Sequence, residues 1–151
     1  FVFSNTALIE LGLLDEIIEK KIKPYINEFM GEVYEEICMD YLKILNKNRE
    51  LPFVFEKIGK WWGNNPYKKR EEEIDIVAYG ENSILLGECK WQNDKVDMGI
   101  LHDLTEKSIL FDFPQKYYVL FSKSGFTEDL INYAKHNTNI ILIRDMKDYY
   151  V

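Results

Sequence analysis

The sequence predicts an α/β domain in which a central mixed β-sheet of about five strands is flanked by helices. Three observations carry this. Apolar segments follow one another in the order α-β-β-β-α-β-α-β, a strand meander and then alternation, which pairs strands antiparallel first and parallel later. The longest periodic segment, about Tyr25 to Leu45, has an apolar arc wide enough to lie on a sheet. A chain of 151 residues, 46% hydrophobic and 15% aromatic, fits one domain with a sizeable core and is too apolar for disorder.

From the N-terminus, FVFSNTALIELG is apolar and broken by Gly12, and LLDEIIEKKIKPYI keeps a helical period until Pro24, which bends or interrupts it. Residues 1–24 therefore read as a helical linker from an upstream region and 25–151 as the domain. A start at Phe1 without a methionine fits an excised fragment. Ile26, Met30, Val33, Ile37, Tyr41 and Ile44 share one helix face, which Tyr34, Cys38 and Leu45 broaden. After a polar NKNRE turn, LPFVFEKIGKWWG (51–63) reads as a strand and NNPYKK as a loop. EEIDIVAYG (72–80) and SILLGECKW (83–91) form the next pair, reversed at GENS. A helix over 99–111 ends before Pro114, and 116–122, 126–136 and 139–145 come next as strand, helix and strand.

The formal net charge is −7, from 26 acidic and 19 basic residues. That is the wrong sign for a module holding nucleic acid unaided, because such affinity comes from neutralising phosphates. A nuclease with local positive charge, or charge supplied by another domain, remains open. No run of eighteen apolar residues exists, so no membrane-spanning helix and no membrane partner is expected. Cys38 and Cys89 are too few for a zinc cluster or a disulfide framework, and read as small core residues in a reducing compartment, the cytoplasm. Lysine, glutamate, isoleucine and tyrosine are plentiful while glutamine stands only at 92 and 115, a thermophilic bias.

The chemistry concentrates in GECKW (87–91), where a glutamate and a lysine interrupt an apolar strand. With residues 80–83 as the hairpin loop, Tyr79 faces Ile84, Val77 faces Leu86 and Asp75 faces Glu88, their β-carbons ~5 Å apart. Two carboxylates then project side by side, with Lys90 on the same face. Opposed like charges destabilise a sheet unless a cation or a shared proton offsets them. Asp75 and Glu88 offer hard oxygens of the kind Mg²⁺ or Mn²⁺ takes, and the backbone carbonyl of Cys89 is a further ligand candidate. The pattern fits metal-dependent phosphodiester hydrolysis, with Lys90 orienting the water or stabilising phosphate charge. It equally fits two surface carboxylates paired to lysines. Lys57, Lys60, Lys68, Lys69 and Arg70 surround Trp61 and Trp62 just before the Asp75 strand, and supply candidate contacts to a nucleic-acid backbone. For the tryptophans, a hairpin with one indole folded into the core is the simpler expectation.

EIDIVAYGENSILLGECKW resembles the core of the PD-(D/E)XK nuclease-like superfamily, in which an acid on one strand precedes ExK on the next. More narrowly, GEVYEE, KIGKWWG and that stretch, across roughly residues 28–122, resemble DUF234, the C-terminal domain of archaeal and bacterial ATPases. The resemblance implies a restriction-endonuclease-like fold, Mg²⁺ as cofactor, DNA as partner, and winged-helix and ATPase parts upstream, joined through a segment like FVFSN. It also implies a helix glutamate, for which Glu35 in GEVYEE is the candidate, one turn after Gly31, where a ligand has room to approach. Gln92 resembles the glutamine that some members carry after the lysine. The first motif here is Ile74-Asp75 rather than Pro-Asp, which leaves the chemical group intact.

His102 reads as a polar-edge residue and His136 as a favourable charge near a helix end. The tyrosines of DMKDYYV are compatible with an oligomer interface. Two functions are open to such a chain: a Mg²⁺-dependent DNA endonuclease-like domain acting as the effector end of an ATPase, or a catalytically inactive nuclease-like domain that docks a partner.

Overall fold

The computed structural model describes residues 18–146. The expectations for FVFSN, Gly12 and Tyr149–Tyr150 lie outside the described residues. A π-helical turn, Ile18–Ile22, leads into α1, Lys23–Lys47. Pro24 stands in the first turn of α1, where a helix has no intrahelical use for its missing N–H, so the expected break is a helix start. Tyr34, Cys38, Tyr41, Leu42 and Leu45 form the buried stripe of α1. None of these buried positions precedes Tyr34, and Tyr25 and Phe29 are exposed.

β1 covers Lys57–Asn65, β2 Arg70–Tyr79 and β3 Ser83–Lys90. The strand expected from residue 51 begins six residues later. Asn46 accounts for this: its side chain accepts the Phe55 N–H at 2.9 Å and donates to the Phe55 carbonyl at 3.1 Å, tying that backbone to α1 rather than to a sheet. Next come α2, Met98–Lys107, a 3₁₀ turn Ser108–Leu110, β4, Gln115–Ser122, α3, Glu128–Lys135, and β5, Ile140–Ile143. α2 ends earlier than the apolar pattern suggests, because the chain tightens into the 3₁₀ turn ahead of Pro114.

The five strands lie in sequence order. β1–β2 and β2–β3 are antiparallel, while β3–β4 and β4–β5 are parallel. Apolar residues cover both faces. On one, α1 packs over Ile76, Ala78, Leu85, Cys89, Val119 and Phe121. On the other, α2 and α3 contribute Leu101, Leu104 and Leu130 to a core with Ile74, Val77, Ile84, Leu86 and Leu120. Each fully buried Leu or Ile contributes roughly 1.5–3 kcal/mol, so the central strands anchor everything beside them. Gly87 belongs to this packing: a β-carbon there would lie 2.8 Å from Val119 Cγ1 and 3.2 Å from Ile76 Cβ. Cys38 and Cys89 are both buried free thiols, and they meet between α1 and β3.

One irregularity positions the site. β1–β2 pairing passes from Gly59↔Val77 to Trp61↔Ile74, so Lys60 alone opposes the two residues Asp75 and Ile76. This is a β-bulge, and it reverses the facing of β2: Ile74 belongs to the α2 side, Ile76 to the α1 side.

Candidate carboxylate site at the β2–β3 divergence

β2 and β3 pair from Tyr79↔Ile84 through Val77↔Leu86 to Ile76↔Gly87, and the ladder ends there. The next donor on β3, the Cys89 N–H, is taken by the Asp75 carboxylate at 3.0 Å. The register is the one the GENS reversal predicts. Beyond Ile76 that pairing stops: the bulge turns Asp75 to the α1 side while Glu88 and Lys90 line the α2 side, so the expected Asp75–Glu88 pair, side by side with Lys90 on one face, does not form, and Asp75 instead brackets the parting strands.

Asp75 consequently lies between two glutamates. On the α1 side it lines a cavity of about 340 Å³ with Glu32, Glu35, Glu36, Met39 and Lys60. On the α2 side a small cavity of about 50 Å³ is lined by Glu88, Lys90, Ile100, Asp103, Leu104 and Lys107. Burial raises the Glu35 pKa, the Asp75 charge adds to the shift, and Lys60 opposes it. Glu88, only 8% exposed, is pushed up to about 8 by burial first and then by the Asp75 charge, with Lys107 and Lys90 opposing. Its Oε1 is buried without a hydrogen bond, and the Lys107 ammonium stands 3.6 Å away. Glu88 therefore favours its protonated form at neutral pH, because too little positive charge reaches it.

The candidate residues fall into three groups. Glu35, Asp75, Glu88 and Lys90 gather around the divergence, with the Cys89 backbone held by Asp75. Gln92 turns away: its side-chain amide donates to the Asp94 carbonyl at 3.1 Å. Of the basic residues, Lys60 is drawn into the site, 3.2 Å from Glu35 and 2.6 Å from Glu73. Lys68 pairs with Glu106 at 2.6 Å and Arg70 with Glu72 at 2.9 Å, while Lys57 and Lys69 are exposed. Trp61 packs edge-on against Phe111 at 5.1 Å, and Trp62 is exposed. His102 is exposed, and His136 caps the end of α3, clear of the carboxylates.

Sequence reading missed Lys107 and Glu73. Lys107 reaches Glu88 and also donates to the Glu73 carbonyl at 2.8 Å, but it reads on its own helix as a last-turn lysine. Nothing in its local pattern names a partner on β3.

No group of three or more His, Cys, Asp or Glu among the described residues is arranged to hold a metal ion. No described helix is long and apolar enough to cross a membrane.

Fold and site together define a mixed five-stranded α/β domain with a row of carboxyls where two central strands part. Residues 1–106 match the family DUF234, described as archaeal and bacterial proteins of unknown function, and the chain belongs to that family. Uncharacterized protein MJECL04 of Methanocaldococcus jannaschii is 39% identical over 129 residues, 82% of this chain and 27% of that protein. The chain thus spans about a quarter of this relative's length. Among solved structures, protein VC1899 from Vibrio cholerae aligns with TM-score 0.55 at 16% identity, over 73% of this chain and 29% of its own. Protein AF1548, of unknown function, aligns with TM-score 0.43 at 19% identity, over 69% of this chain and 55% of its own. The likeness to VC1899 is one of fold.

Proposed function

We propose that this is a PD-(D/E)XK-type nuclease-like domain in which Asp75, Glu88 and Lys90 serve metal-dependent hydrolysis of phosphodiester bonds in DNA. The observation that carries the reading is Glu88: a buried carboxyl whose Oε1 has no hydrogen bond, beside a second carboxylate, with Lys107 at 3.6 Å and Lys90 offsetting only part of the charge. A divalent cation would supply that balance. The donor set suits Mg²⁺ or Mn²⁺, since Mg²⁺ is commonly held by one or two carboxylates and keeps its remaining positions for water and substrate phosphate. Asp75 and Glu88 would hold it, with the Cys89 carbonyl as a further ligand. When bound there, the ion supplies Lewis acidity toward the phosphate and a more acidic water.

The chain's own groups have separable tasks. Asp75 orients through its bond to the Cys89 N–H. Lys90, beside Glu88 on the α2 side, holds a phosphate oxygen or aligns the attacking water. Glu35, with its raised pKa, is suited to carry a proton at the α1-side cavity. In the longer polypeptide the domain would act as the effector end of an ATPase, as the family resemblance implies.

A docking domain without activity is the second reading. It is favoured by the net charge of −7 and by the pairing of Lys60, Lys68 and Arg70 with carboxylates. Plasmid nicking with Mg²⁺ or Mn²⁺ separates the two: hydrolysis by the wild type and none by Asp75→Ala supports the nuclease, and equal behaviour of the two proteins rejects it.

A further inference from the structure

Trp62 is 68% exposed, the most exposed aromatic on the described strands, whereas Trp61, Tyr117, Tyr118 and Phe121 are buried or half-buried. An indole left in water on a rigid strand forfeits the burial that stabilises a tryptophan. Its position is specific. Trp61 packs toward α2, so the alternation of β1 turns Trp62 to the α1 side, the face on which Lys60 reaches Glu35. Opposite Trp62 on β2 is Glu73, which holds the Lys60 ammonium at 2.6 Å. The indole therefore lies one same-face step, about 7 Å, along the strand from the lysine that borders the Asp75–Glu35 cavity. Further along, the hairpin tip exposes Tyr67 and Lys69, and Lys69 has no carboxylate partner among the described residues. Asn65 shapes that tip by accepting the Tyr67 and Lys68 N–H groups at 3.0 and 3.2 Å.

We propose that Trp62 is a stacking platform for an unpaired base, and that the ligand of this site is single-stranded nucleic acid or a strand with an unstacked nucleotide. The inference rests on the nuclease reading for the class of ligand and goes beyond it in naming the form. Two physical arguments favour single strands. A base within a duplex is covered by its neighbours and cannot lie on an indole, whereas an unpaired base has a free face. Duplex affinity also depends mostly on phosphate neutralisation, yet Lys60, Lys68 and Arg70 are already paired with acids and the chain carries a net −7. Beyond the exposed Lys57 and Lys69, stacking is the attraction this surface has left to offer.

The test is fluorescence anisotropy of the full chain, without divalent metal, against a labelled oligothymidylate of about 12 nucleotides and a blunt duplex of equal length. Wild type should bind the single strand more tightly than the duplex, with a shallow salt dependence. Trp62→Ala should weaken single-strand binding roughly five- to hundredfold, and Trp62→Phe should restore most of it. Adding Mg²⁺ to the wild-type complex separates this inference from the hydrolase reading: a protein that binds the single strand through Trp62 but never cleaves it sustains the first and removes the second. Absence of single-strand binding, equal affinity for the duplex, or an unaffected Trp62→Ala would overturn the proposal. So would Trp62→Ala leaving oligonucleotide binding intact while dissociating a wild-type dimer in sedimentation, which would assign the indole to a protein interface.

Discussion

The Asp75 carboxylate accepts the Cys89 N–H at 3.0 Å, at the point where β2 and β3 cease to pair. A side chain thus takes the place of a strand neighbour, and one residue both closes the ladder and places a negative charge between Glu35 and Glu88. Asp75→Ala should therefore cost about 1–3 kcal/mol in urea unfolding, because a partly buried donor is orphaned. Asp75→Asn, which keeps an oxygen acceptor, should cost less. Both should abolish metal-dependent hydrolysis, so a stability assay and an activity assay respond differently to the pair.

Glu88 gives the protein a pH dependence with a definite sign. Its folded pKa is about 8, against about 4.3 for a glutamate in an unfolded chain. Between those values the folded state keeps a proton that the unfolded state has released, so this group's contribution to stability is complete below about 4.3 and is lost as pH rises through 8. Melting temperature should fall from pH 5 to pH 8, and Glu88→Gln should flatten the decline. A Glu88→Gln profile as steep as the wild type would remove Glu88 as its source.

Lys60 restrains the upward shift of Glu35. Lys60→Gln should move the Glu35 pKa higher still, read by carboxyl-carbon NMR titration. Its effect on stability should be under about 1 kcal/mol, since both ion pairs of Lys60 are partly solvated.

Gly87 has no space for a methyl group between Ile76 and Val119. Gly87→Ala should destabilise by about 1–3 kcal/mol through overpacking, measured by denaturant titration. Gly31→Ala, whose β-carbon meets nothing within 4 Å, is the matched control and should not destabilise the helix.

Much of the architecture was legible because hydrophobic phase and turn chemistry agreed. GENS between two apolar runs set the hairpin register at Tyr79↔Ile84, and the meander followed by alternation led to the observed strand directions. The bulge at Asp75 and Ile76 was not legible. Glu73-Ile74-Asp75-Ile76 alternates as a regular strand would and so reads as both isoleucines on one face, and because both faces of the sheet are apolar either facing is accepted. The same limit hid Lys107, whose approach to Glu88 depends on how α2 crosses β3. The two tryptophans of KIGKWWG divided, one inward and one outward, as successive strand positions must. Asn46 pulled the start of β1 later through a side-chain bond that strand propensity does not register.

Isothermal titration with Mn²⁺, in the presence of an uncleavable oligonucleotide, addresses the carboxylate row most directly. Wild type should bind metal, with proton release from Glu88 at neutral pH, and Glu88→Ala should lose both the heat and the proton release. Equal metal binding by wild type and Glu88→Ala, or none by either, would contradict it.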